Sequence, residues 1–165
     1  MGHEVIAFLG PYLAGLTSVW KLDLSYNGFG ADGVRSLGPY LAALTDIQQL
    51  LLGSNNIGTG VEALGRCLTL LTAIEHLDLS FNCFGADGAK CLGPCLAHLT
   101  SVKRLNLRGN NIGAGGAKAM GPACQDYRPS KCLASAPTKL GPTASNLWAQ
   151  PSTYDVYPGA YLGLE

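Results

Sequence analysis

The chain is 165 residues long and carries 11 Lys plus Arg against 11 Asp plus Glu, a formal net charge of zero. Charged residues make up 13% of it, about half the usual ~25%, which suits a chain with much stacked interior. The balance argues against nucleic acid, whose binders show a basic stripe. No apolar run reaches the ~18 residues that would mark a membrane span.

The apolar stretch Val5 to Leu16 has the length of a signal-peptide core, but no Lys or Arg precedes it. Leu9-Gly10-Pro11-Tyr12-Leu13-Ala14-x-Leu16-Thr17 recurs as Leu37-Gly38-Pro39-Tyr40-Leu41-Ala42-x-Leu44-Thr45, so the opening reads as the closing part of a repeat. Val19-x-x-Leu22-x-Leu24-x-x-Asn27-x-Phe29 then starts a pattern that returns from Ile47 to Ile57, from Ile74 to Phe84 and from Val102 to Ile112. The four Asn (Asn27, Asn55, Asn82, Asn110) are spaced 28, 27 and 28 residues apart. A fixed period in this range means a solenoid.

Within each unit the periodicity changes. Leu22 and Leu24 alternate with Lys21, Asp23 and Ser25, which predicts a strand, and Val34, Leu37, Leu41 and Leu44 then recur at helical spacing. Neither face can be buried alone, so neighbouring units must stack, strands on the concave side and helices on the convex side. The Asn column follows each strand where the chain turns, and a buried carboxamide there has to be satisfied by loop backbone.

Gly10-Pro11, Gly38-Pro39, Gly93-Pro94 and Gly121-Pro122 fall inside the expected helices. A proline there removes a hydrogen bond and clashes with the preceding turn, so the return is predicted to be in two pieces. One is a turn over Asp32 to Ser36, the other a helical segment that begins at Pro39. The remaining copy of the slot is Gly65-Arg66, where the helix can run unbroken.

Residues 1–124 therefore read as a solenoid of four strand repeats with flanking partial repeats. Residues 125–165, with five prolines among Ser, Thr, Ala and Tyr, read as a disordered tail. A second expectation for the tail is a makeshift cap over the last repeat, using Leu133, Leu140, Leu147 and Trp148. A third is that the chain is a fragment of a longer array. Uncapped solenoid ends stay apolar, so self-association through them is also expected. The six cysteines occupy slots that hold other residues in sister repeats, as Cys67 and Cys95 replace Tyr12 and Tyr40. They read as reduced, mostly packed thiols of a cytoplasmic protein rather than as a disulfide framework.

The pattern resembles the leucine-rich repeat, and its period resembles the ribonuclease-inhibitor-like subfamily, which also supplies the sensor arms of NOD-like receptors and the Ran GTPase-activating proteins. The second half of each unit carries the likeness: Asn27-Gly28-Phe29-Gly30-Ala31-Asp32-Gly33 matches Asn82-Cys83-Phe84-Gly85-Ala86-Asp87-Gly88 and Asn110-Asn111-Ile112-Gly113-Ala114-Gly115-Gly116. The second unit is one residue short, at Gly58-Thr59-Gly60-Val61. The resemblance implies a curved right-handed α/β horseshoe with a parallel concave sheet and convex helices.

No catalytic, metal or cofactor site is expected. His76, Asp78 and Ser80 alternate along one strand, yet a triad needs His between acid and nucleophile. His76 and Ser80 are roughly 13 Å apart along a strand. Gly113-Ala114-Gly115-Gly116 lacks the ending of a phosphate loop. Outward strand positions are free of packing duty, so the expected function is binding of another protein by the concave face. The residues named for it are Trp20, Lys21, Asp23, Tyr26, Gln49, Leu51, His76, Asp78, Phe81, Arg104, Asn106 and Arg108; aromatics and Arg are enriched among interface hot spots. The alternative expectation is regulation of an enzyme, as a GTPase activator or a ribonuclease-inhibitor-like blocker.

Overall fold

A computed structural model of the chain describes residues 3–16, 18–124 and 132–133. Strand and helix alternate: α1 (His3–Ala14), β1 (Lys21–Asp23), α2 (Gly30–Leu41), β2 (Gln49–Leu51), a 3-10 turn (Gly58–Gly60), α3 (Val61–Leu68), β3 (His76–Asp78), α4 (Gly85–Leu96), β4 (Arg104–Asn106), α5 (Gly113–Cys124) and β5 (Cys132–Leu133). The strands form one parallel sheet in chain order, β1 to β5. This is the α/β solenoid the period implies.

Register follows the repeat. Leu22, Leu50, Leu77 and Leu105 stand opposite one another across the sheet. Leu50, Leu77 and Leu105 are buried, together with Leu52, Leu79 and Leu107 two residues on. Leu22 and Leu24, on the edge strand, are only partly buried. The helical set closes the core from the other side, with Val34, Leu37, Leu41 and Leu44 buried in one coil and Val61, Leu64, Leu68 and Leu71 in the next.

The Asn column ties coil to coil. Asn82 Oδ1 accepts from the backbone N–H of Asn55 at 2.8 Å, and its Nδ2 donates to the carbonyls of Leu52, Leu79 and Ser80. Asn55 and Asn110 reach back in the same way to Asn27 and Asn82. The backbone carbonyls of Asn55, Asn82 and Asn110 also accept from the N–H of the first residue of the preceding coil's helical return, Gly30, Gly58 and Gly85 respectively, each at 2.9 Å. The helices thus start without side-chain caps, because the neighbouring coil supplies the acceptor.

The expected break at the prolines does not occur. α2 and α4 run through Pro39 and Pro94, and α1 through Pro11. Pro39 lies two residues before the end of α2, so its missing donor leaves only the Arg35 carbonyl without its helical bond. The bond from Ala42 N–H to Gly38 O is still made, at 3.0 Å. The exposed proline ring faces away from the core while Leu37 and Leu41 hold the inner face. Burial of that face outweighs a proline in the last turn. The missing residue of the second unit has a clear effect: its first helical turn tightens to 3-10 before α3.

The paired glycines have a packing role. A Cβ on Gly38 would sit 2.7 Å from Cys67 Sγ, and one on Gly65 2.8 Å from Cys95 Sγ. On Gly10 it would fall within the ring of Tyr40. α1, α2 and α3 therefore each offer a notch that receives the Tyr or Cys of the next helix.

β5 belongs to the expected tail. Cys132 pairs with Leu105, one repeat period later, and Leu133 with Asn106. The other tail residues, including Leu140, Leu147 and Trp148, lie outside the described residues.

Candidate functional site

Parallel register assembles two outward rows: Lys21, Gln49, His76 and Arg104, then Asp23, Leu51, Asp78 and Asn106. Side chains alternate across a strand, so these eight share the face opposite the buried leucines. Lys21, Asp23 and Arg104 are exposed, and the other five half-buried. Trp20 stands just before β1, in the row of Gln48, Glu75 and Lys103, and is 57% exposed. Its carbonyl accepts from the N–H groups of Gln48 and Gln49. Tyr26, Phe81 and Arg108 lie beyond the strand ends, in the turns that lead to the Asn column.

Most acids of the face are already engaged. Asp78 Oδ1 accepts from Ser80 N–H at 2.8 Å and from Ser80 Oγ at 2.6 Å, and Asp78 Oδ2 accepts from Asn106 Nδ2 at 2.9 Å. Ser80 thus gives its proton to Asp78, so His76 is no intermediary between them. Glu75 pairs with Lys103 at 2.6 Å, and this hydrogen bond holds its carboxyl below the usual glutamate range. His76 is held below the ordinary histidine value by partial burial and then by Arg104 opposite it. At neutral pH it is an uncharged ring beside a cation.

The turns hold a feature that sequence reasoning missed. Tyr26, Ser54, Phe81 and Gly109, at one position of successive coils, all have positive φ, from 53° to 71°. For bulky aromatics this is the exceptional left-handed conformation, with strain of order 1–3 kcal/mol each. Tyr26 ends 84% exposed and Phe81 50%. The Phe81 ring lies across Gly109, where a Cβ would collide with it. The Arg108 guanidinium carbon is 5.8 Å from the ring centroid, within cation–π range. Glycine at one member of the column was the one available signal.

On the convex side Arg35, Thr59, Glu62, Ala63 and Arg66 surround an open hollow of about 220 Å³. Both arginines are already paired there, Arg35 with Asp32 and Arg66 with Glu62, and such exposed pairs contribute little. The cysteines depart in part from the expectation of packed thiols. Cys67 and Cys95 are partly buried, and burial pushes both thiols up. Cys83 and Cys91 are exposed, one in the left-handed turn slot and one on the helix surface. Among the described residues no cluster of three or more His, Cys, Asp or Glu is placed to hold a metal ion, and no helix is long and apolar enough to cross a membrane.

The family model described as Leucine Rich repeat matches residues 16–38, 71–93 and 98–121. These are leucine-rich repeats. The matched stretches contain β1, β3 and β4 with the starts of the helices that follow. The coil between them, with β2 and the tightened 3-10 turn, is the one-residue-short unit. The chain matches no curated protein. Leucine-rich repeats generally mediate protein–protein interaction, and both the rows above and the outer helix surfaces are free of stacking.

Proposed function

We propose that this chain is a non-enzymatic protein-interaction module that presents the concave face of its leucine-rich repeats to another protein. The carrying observation is the pair of outward rows, eight side chains that parallel pairing sets out in register. Their inward neighbours are leucine in every coil, whereas the outward residues change from coil to coil. A face with this freedom can be read by a partner without disturbing the core. The aromatics Trp20, Tyr26 and Phe81 at its margins are the residue types that anchor interfaces.

The test is affinity capture from lysate with three tagged chains of matching thermal stability: wild type, Lys21→Glu/Gln49→Arg/Arg104→Glu on the concave face, and Arg35→Glu/Lys90→Glu on the convex face. A protein retained by the wild type and the convex variant but absent from the concave variant is the expected result. Loss from the convex variant alone would transfer the function to the helices.

A further inference from the structure

We infer that the β3–β4 half of the concave face is a subsite for an acidic, extended peptide segment, with Arg104 and Arg108 as its cations and Phe81 as its apolar floor. This rests on the concave-face reading above and names the chemistry of the partner.

The argument is one of charge left over. Of the acids on this half, Glu75 is bound to Lys103, and Asp78 takes hydrogen bonds from Ser80 and Asn106 on both of its oxygens. Neither Arg104 nor Arg108 forms an ion pair with a carboxylate among the described residues. Both are exposed. His76, opposite Arg104 in the same row, adds no negative charge. The half therefore carries Lys103, Arg104 and Arg108 against Glu75 and Asp78, one positive charge in excess, and neither arginine has a direct carboxylate partner among the described residues.

Spacing and shape narrow the ligand further. Arg104 and Arg108 are four residues apart on a strand that runs into a turn, about 13 Å at strand rise. Carboxylates four residues apart on an extended peptide span the same distance. Just past Arg108, level with Gly109, Phe81 is pinned over Gly109 and under the Arg108 guanidinium. Its backbone is held in the left-handed region at φ 53°. A half-exposed aromatic fixed this way offers an apolar side chain a flat, pre-ordered surface at low entropic cost. The opposite half lacks this pattern: Lys21 is accompanied by Asp23, so its charges balance locally.

The probe is a labelled peptide of three Glu-Ser-Leu-Ser repeats, with a Lys-Ser-Leu-Ser peptide as control, titrated into the full chain and followed by amide NMR shifts and fluorescence polarisation. The acidic peptide is expected to shift Phe81, Arg104, Asn106 and Arg108, to lose affinity at high salt, and to bind about tenfold more weakly to Arg104→Glu/Arg108→Glu. Phe81→Ser is expected to weaken it without changing its salt dependence, and Lys21→Glu to leave it unchanged. Equal binding of the lysine peptide, unchanged affinity in the arginine variant, or no binding of the acidic peptide overturns the inference. If a natural partner is captured through Lys21 and Gln49 while the acidic peptide fails, the subsite is wrong and the concave-face reading stands.

Discussion

At the scale of single residues, the Asn column and the outward rows carry different burdens. Asn82 is fully buried and makes five contacts with the backbone of its own and the neighbouring coil. Asn82→Ala strands the amides of Asn55 and Ile57 and removes one of the two donors from each carbonyl that Nδ2 serves. Unsatisfied buried groups cost ~1–3 kcal/mol each, so a loss of about 3–5 kcal/mol in chemical denaturation is expected, whereas Gln49→Ala on the face should change stability by less than about 0.5 kcal/mol. His76 gives a titration prediction. Its folded pKa is depressed, so its contribution to stability is complete above the unfolded value of about 6.5. That contribution is lost as the pH falls through the folded value. Arg104→Gln should move the His76 ring titration upward by NMR, and an unchanged midpoint would show that burial alone sets it. Thiol chemistry gives a third. Exposed Cys83 and Cys91 should alkylate faster than Cys67 and Cys95, whose thiols burial pushes up, and peptide mass spectrometry reads the order. Alternation in the sequence was enough to separate Leu22 and Leu50 from Lys21 and Gln49. The left-handed turn column was hidden, because Tyr26 and Phe81 are residues that ordinarily avoid positive φ and only Gly109 among their equivalents betrays it.

At the scale of elements, the helices are shaped by what lies against them rather than by their own propensities. The prolines predict a break that the structure does not make, because one lost donor in a last turn is a local cost while Leu37, Leu41, Leu92 and Leu96 are buried along the whole inner face. No single-repeat reading reveals this, since the compensating contacts come from the adjacent coil. The Gly notch is likewise an inter-coil property. Gly65→Ala gains helix propensity of about 1 kcal/mol, but the new Cβ meets Cys95 Sγ at 2.8 Å. We expect Gly65→Ala to destabilise the wild type and Gly65→Ala with Cys95→Gly to recover, a coupling of about 1 kcal/mol or more in a double-mutant cycle. Strictly additive effects would mean that the thiol simply swings aside.

At the scale of the whole molecule, the residues that hold coil to coil and the outward residues of the sheet are separate sets. Stacking consumes the inward leucines, the Asn column and the notched helices, and it was the part most legible in the sequence because every coil repeats it. Among what is left, the concave surface is legible as a set of positions but not as a ligand, since those residues owe nothing to the repeat. The concave-face account is tested most directly by placing a photo-crosslinking residue singly at Lys21, Gln49 and Arg104 on the sheet and at Glu62, Lys90 and Lys118 on the helices, then irradiating each chain in lysate. The account predicts one discrete partner band shared by the sheet positions and absent from the helix positions. A discrete band from the helix positions, with none from the sheet, would contradict it.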